Sequence, residues 1–260
     1  MRAADLELAR HGRGPLVLFV HGSIVGAQRT WRWQLPLAEQ WELALVNRPG
    51  FGKSPPLERG DFEVEGQLIA ELCEDLAPRG VHLVGHSYGA VIALYAAAQA
   101  RQAVRSLTIS EPGCMGVASS EPAVAAQIAS GDLLYEHAER LTPLDFLRAF
   151  RGGVGSTHET PGELDGELLA GAQLLMRERP PWEADPPLQE LRDASFAKLV
   201  ISGGHSPVFE AICDVVAERI GARRVQILGR GHTIPSAGEP YNELLDSFMR
   251  ETEASQHPRD

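Results

Sequence analysis

The sequence predicts an α/β protein: a mostly parallel central sheet flanked by helices, with a helical cap inserted above it. Three observations carry that expectation. Short apolar runs at Leu16–Val20, 43–46 and 81–84 each end in a glycine-bearing turn and have the uninterrupted apolar character of strands buried on both faces. Segments with helical spacing lie between them, and such alternation of strand and helix builds parallel sheets. Between Pro112 and Ser195 the rhythm lapses, and helical stretches punctuated by glycine and proline replace it.

In chain order, the first apolar run is followed by a helical pattern at 31–40 and the second by one at Phe62–Leu76. A helix of small residues, 90–100, follows the third run. The strand pattern resumes at Val104–Ser110, Ala197–Ser202 and 224–228, with amphipathic helices near 208–220 and 241–251 after the last two. The intervening segment carries helical stretches at 123–129, 143–150 and 162–177, and the last of these is broken by Pro180-Pro181-Trp182. The expected division is a core of residues 1–112 and 196–252, a helical cap of residues 113–195, and a flexible polar tail of residues 253–260.

With 260 residues, 43% of them hydrophobic, the chain can bury one sizeable core. Its net charge of −11 comes without a block of lysine or arginine, so neither a nucleic acid nor an anionic membrane is an expected partner. Cys73, Cys114 and Cys213 form no C-x-x-C pair and read as buried small hydrophobes. No apolar run approaches the roughly 20 residues that cross a bilayer, and residues 1–13 carry charges throughout, so a cytoplasmic enzyme is expected. No metal or nucleotide cofactor is expected either.

Gly85-His86-Ser87-Tyr88-Gly89 matches G-x-S-x-G and stands where that motif needs to stand, after the strand at 81–84 and before the helix at 90–100. A serine on so sharp a turn needs small neighbours two residues to either side. Its hydroxyl then sits at the positive end of a helix, which suits a nucleophile that generates negative charge. Ser87 is therefore the candidate nucleophile. His21-Gly22-Ser23 follows the strand Leu16–Val20, and if its loop approaches the nucleophile, the backbone N–H groups of Ser23 and Tyr88 form an oxyanion hole. His232, in the loop after the last strand, is the candidate base, because an imidazole titrating near pH 6.5 can take the serine proton and return it. Arg48, in Asn47-Arg48-Pro49-Gly50-Phe51-Gly52, reads as a structural ion-pairing residue and His21 as a structural histidine.

Together, His21-Gly22, Arg48-Pro49-Gly50-Phe51-Gly52, Gly85-His86-Ser87-Tyr88-Gly89 and Gly231-His232 resemble the α/β-hydrolase superfamily. The likeness covers nearly the whole chain outside the cap. It implies the α/β-hydrolase fold with the cap inserted after strand 6 of that fold, here Val104–Ser110. It also implies the serine-nucleophile branch that includes esterases, lipases and cofactor-free peroxidases. Branches that attack with an aspartate are excluded, because position 87 holds no carboxylate.

The chain departs from the superfamily pattern at the third catalytic member. The usual place for an aspartate, in Ser202-Gly203-Gly204-His205-Ser206-Pro207, is occupied by Ser206. Glu111, in Ile109-Ser110-Glu111-Pro112, lies at the end of the preceding strand, where several members of the superfamily place their acid. Glu210 and Asp214 on the next helix are its rivals, the absence of any carboxylate in this role is the remaining alternative, and His205 is unassigned. A carboxylate in this role fixes the imidazole tautomer and stabilises the imidazolium.

The expected activity is cleavage of an ester, thioester or related acyl bond of a small molecule through an acyl-enzyme, with Ser87, His232 and Glu111 as the catalytic set. Phe146, Phe150, Leu174 and Trp182 in the cap point to an apolar acyl or ring system. A ligand-binding homologue without turnover, or a lyase or perhydrolase using the same residues, are the alternatives.

Overall fold

The computed structural model describes residues 1–76, 80–156 and 159–256. Among these, seven strands form one sheet in the order β1-β3-β2-β4-β5-β6-β7. They are β1 (Leu8–His11), β2 (Leu16–Val20), β3 (Glu42–Val46), β4 (Val81–His86), β5 (Val104–Ser110), β6 (Ala197–Ser202) and β7 (Arg223–Gln226). β1 runs antiparallel to β3, and every other pairing is parallel. The sheet is thus mostly parallel, as the sequence predicted.

Burial on both faces explains the apolar runs. In β2, Leu16, Leu18 and Val20 point into one core while Val17 and Phe19 point into the other, and all five are buried. The first core is closed by α2 (Phe62–Leu76), α3 (Tyr88–Gln99) and α8 (Pro207–Ile220). The second is closed by α1 (Ala27–Trp31) and α9 (Glu239–Gln256), through Trp31, Tyr241, Leu245, Phe248 and Met249 among others. Each fully buried Val, Leu or Phe side chain contributes about 2 kcal/mol.

Three local differences from the expectations have physical causes. β1 carries no apolar run, because an edge strand with half-exposed residues does not need one. The helical pattern at 31–40 is divided between α1 and the 3₁₀ segment Arg32–Glu39, since Pro36 cannot donate a helical hydrogen bond. α9 runs on through residues 253–256, where a flexible tail was expected, with Thr252 buried beneath its last turns. Residues 257–260 of that tail lie outside the described residues.

Between β5 and β6 the described residues form α4 (Pro122–Glu136), α5 (Pro143–Gly153), α6 (Gly166–Leu175) and α7 (Leu188–Asp193), and no strand. This insertion follows the fifth strand in chain order, because one strand rather than two precedes Leu16. α5 and α6 share a small core of their own, built on Phe146, Leu147, Ala172 and Leu175. Val124 of α4, Trp182 and the α7 leucines Leu188 and Leu191 pack instead into the core beneath α3 and α8. No described helix is long and apolar enough to cross a membrane.

Candidate active site

Parallel strands deliver their loops to one edge of the sheet, and the candidate residues gather there from four strand ends. Ser87 leaves β4 with φ 56° and ψ −121°, a conformation that costs a non-glycine residue of order 1–3 kcal/mol. Its N–H is held by the carbonyl of Ser110 at 2.9 Å. The flanking glycines are sterically required: a Cβ on Gly89 would lie 2.3 Å from the Val20 carbonyl oxygen, and one on Gly85 2.5 Å from that of Gly89. The motif therefore seats β4 and α3 against β2 at backbone distance.

His232 stands in the loop after β7, with its Nε2 2.9 Å from Ser87 Oγ and its Nδ1 2.6 Å from Glu111 Oε2. Glu111 leaves β5 with φ 44°, and its N–H is held by the Ile201 carbonyl at 3.0 Å. Its second oxygen accepts the Gly203 N–H at 2.7 Å. The carboxylate is fully buried and aimed by backbone on both sides. The rivals are engaged elsewhere: Glu210 accepts from Ser202 Oγ and Arg224, and Asp214 from Arg224. Ser206 caps α8 without a side-chain bond.

Burial disfavours charge on both partners, pushing the Glu111 carboxyl up and the His232 imidazole down. Their mutual attraction opposes both shifts, so the two titrate as a unit. The Phe209 ring stacks on the imidazole of His232 with ring centroids 4.4 Å apart, and the His205 ring also stacks with Phe209, at 5.8 Å. His205 Nδ1 lies 3.3 Å from Glu111 Oε1. Phe209 was missed in the sequence because it reads as one more apolar position on an amphipathic helix.

The loop after β2 does approach the nucleophile, since a Cβ on Gly22 would stand 3.0 Å from Ser87 Cβ. The Gly22 carbonyl accepts from His21 Nδ1 at 2.7 Å and from Arg48 Nη1 at 3.0 Å. In a planar trans peptide the N–H opposes the C=O, so the Ser23 N–H faces away from these two donors. Neither the Ser23 nor the Tyr88 N–H has an acceptor among the described residues. The His21 tautomer follows from its neighbours: its Nε2 accepts the Arg48 N–H at 3.0 Å, so Nδ1 carries the proton. Burial, followed by the Arg48 charge, holds His21 neutral with its pKa down at about 3. Arg48 itself is buried between Glu65, at 2.7 Å, and Glu178, at 2.7 Å.

A cavity of about 490 Å³ opens onto Ser87 and His232. Ile24, Val25, Trp33, Phe150, Val154 and Leu168 supply apolar wall, and Arg29 and Arg151 also face it. Of the four cap residues expected to shape it, Phe150 does. Phe146 is sealed between cap helices, Leu174 packs on Gly50, and Trp182 bonds Asp132 through Nε1 at 2.7 Å. Phe146 thus serves the insertion's own core, while Leu174 and Trp182 pack the insertion against the rest of the chain.

Two of the histidines, His82 and His86, share an H-x-x-x-H spacing, which in a helix could serve a metal. They lie on one strand, where four residues span about 13 Å, too far to share an ion. No group of three or more potential ligands able to hold a metal occurs among the described residues.

Comparison with known proteins agrees with this geometry at the level of the fold. The chain is 34% identical over 189 residues to a pimeloyl-[acyl-carrier protein] methyl ester esterase of Methylococcus capsulatus, covering 68% of this chain and 66% of that protein. It is 34% identical over 108 residues to a 2-succinyl-6-hydroxy-2,4-cyclohexadiene-1-carboxylate synthase of Pectobacterium atrosepticum, covering 41% and 42%. The chain thus spans just under two thirds of the length of the first and less than half of the second. A solved hydrolase structure from Oleispira antarctica superposes with a TM-score of 0.75 at 18% identity, over 96% of this chain and 98% of that one, a likeness of fold. A sequence profile of the alpha/beta hydrolase family matches residues 17–246, from within β2 into α9. A match of that extent, on a sheet of this order, makes the chain a member of the alpha/beta hydrolase family.

Proposed function

We propose that the protein is a serine hydrolase that cleaves an ester, thioester or related acyl bond of a small, largely apolar molecule through an acyl-enzyme. The observation that carries this reading is the unbroken relay from Ser87 Oγ to His232 Nε2 and from His232 Nδ1 to Glu111, open to the cavity at its serine end. Ser87 Oγ adds to the acyl carbon while its proton passes to His232 Nε2. Glu111 stabilises the imidazolium, and the Ser23 and Tyr88 N–H groups receive the oxyanion. Each such donor contributes on the order of 3 kcal/mol to the transition state. Collapse expels the alcohol or thiol, which takes the proton from Nε2. A water then gives a proton to the same nitrogen, adds to the acyl carbon, and releases Ser87 with its proton restored.

The name of the esterase relative, and the apolar wall beside Ser87, support a carboxylic ester as the bond cleaved. The decisive experiment uses p-nitrophenyl esters of two to eight acyl carbons. The expected result is a burst of p-nitrophenol equal to the enzyme concentration, covalent labelling of Ser87 by a fluorophosphonate, and loss of both in Ser87→Ala. A wild-type protein inert to every ester and to the label would overturn the reading. A relative named as a synthase rather than an esterase favours a second reading, a lyase that uses Ser87 and His232 without hydrolysis. Release of an unsaturated product with no water consumed would establish it.

A further inference from the structure

We propose that Glu178, contributed by the inserted segment, is a positioning residue through which the cap sets the geometry of the oxyanion hole. The inference rests on the serine-hydrolase reading, which makes the Ser23 N–H an oxyanion donor. Glu178 lies just beyond α6, buried to within 3% of full enclosure. One of its oxygens accepts from Ser23 Oγ at 2.5 Å and the other from Arg48 Nη2 at 2.7 Å. Arg48 in turn donates through Nη1 to the Gly22 carbonyl. The Gly22–Ser23 peptide, whose N–H is the donor in question, is therefore gripped at its carbonyl by Arg48 and through its serine side chain by Glu178. Both grips end on the same carboxylate.

That carboxylate cannot be far from its place while the cap is seated. Arg179, its neighbour, donates its N–H to the Gly60 carbonyl at 2.8 Å, and Glu178 Cγ would stand 2.9 Å from a Cβ on Gly60. α6 also bears directly on the loop: a Cβ on Gly171 would fall 1.7 Å from the Ile24 carbonyl oxygen. Ile24 holds φ 84°, a conformation a β-branched residue keeps only where its surroundings impose it. Two contacts from one side of the insertion thus bear on Ser23, which carries the N–H, and on Ile24, which follows it. Glu178 also fixes where the Arg48 guanidinium lies, by accepting from its Nη2 on the side away from the Nε bond to Glu65. Glu65, held at 2.7 Å, keeps it anchored when Glu178 is neutralised.

Ser23→Ala removes only the hydroxyl link and keeps the backbone N–H. Glu178→Ala removes the hydroxyl link and the carboxylate's hold on Arg48, leaving Arg48 paired with Glu65 and bonded to the Gly22 carbonyl. Glu178→Gln retains the size, with its oxygen able to accept from Arg48 and its amide to donate to Ser23 Oγ. Rates for a p-nitrophenyl ester are taken per active site titrated with fluorophosphonate, together with KM and the affinity for an alkyl boronic acid, whose Ser87 adduct places an oxygen in the hole. The expected result for Ser23→Ala and Glu178→Ala is a kcat per site lowered about tenfold to a hundredfold, as misplacement of one donor predicts. Boronate affinity should weaken in step, KM should change less than twofold, and Glu178→Gln should recover part of the loss. Unchanged kcat per site and boronate affinity, with only a lowered melting temperature, would overturn the proposal. A wild type that neither turns over an ester nor takes the label removes the hydrolase reading and this one with it. Wild-type turnover with unaffected variants removes this one alone.

Discussion

At the scale of single residues, the acid of the relay is where charge and geometry are easiest to separate. Glu111→Gln keeps a hydrogen bond to the imidazole but supplies no negative charge and can present an amide donor to Nδ1. We expect kcat/KM to fall about a hundredfold to ten-thousandfold, the range set by loss of tautomer control and imidazolium stabilisation. The pH profile should move as well. The carboxylate favours protonated His232, so its removal lowers the imidazole pKa further below 6.5, and the acidic limb of kcat/KM shifts to lower pH. Glu210→Gln, which disturbs bonds to Ser202, Gly204, Arg224 and Gln226 but none to His232, should move that limb far less. An unshifted limb in Glu111→Gln would show that another group holds the imidazole. Glu111 was open to inference because the sequence lacks a carboxylate at Ser206 and places one at the end of the strand before the insertion. Glu178 gave no such signal: it stands in a polar stretch between a helix and a proline pair, and its importance arises only when the chain folds it under the first loop.

At the scale of elements, the sheet was readable because burial on both faces demands unbroken apolar runs, and those runs leave their mark regardless of what packs on them. The edges were not. β1 is four residues long with two exposed, and its existence depends on pairing with β3 rather than on its own composition. The insertion was readable as helices but not as a set of contacts, since a leucine facing another cap helix and one facing the cavity look alike in sequence. The contact of α6 with the first loop makes a test of that packing. Gly171→Ala places a methyl where the Ile24 carbonyl stands, so α6 must back away, at a cost of about 1–3 kcal/mol from overpacking. We expect a melting temperature several degrees lower and reduced kcat, with Ser87 still labelled. Gly166→Ala, at the first turn of the same helix with nothing within 4 Å of the new methyl, should be neutral or slightly stabilising. Equal behaviour of the two variants would mean that α6 does not bear on the loop in solution.

At the scale of the whole molecule, the same burial that excludes water from the site makes the fold sensitive to acid. Burial holds His21 at about 3 and His82 at about 4, and pushes His86 well below the ordinary 6.5. Each of these remains neutral in the folded chain while its unfolded counterpart takes a proton below pH 6.5. The sign follows: the unfolded state binds more protons there, so stability is full above pH 6.5 and is lost as pH falls toward the folded pKa. Glu111 and Glu65, whose carboxyls burial pushes upward, act in the opposite direction, so the total slope is a difference of large contributions. A single-site comparison isolates one of them. His82 is remote from Ser87 in function, buried between Ser106 Oγ at 2.7 Å and Glu253 at 3.0 Å. His82→Gln retains an acceptor and a donor but cannot titrate. Measured by urea unfolding, the stability of the wild type relative to His82→Gln should decline by about 1 kcal/mol per pH unit between pH 6 and pH 4.5. Above pH 7 the difference should be constant, because His82 is then neutral in both states. A difference that stays flat through the acidic range would mean that His82 keeps its ordinary proton affinity, and hence that attraction to Glu253 offsets burial.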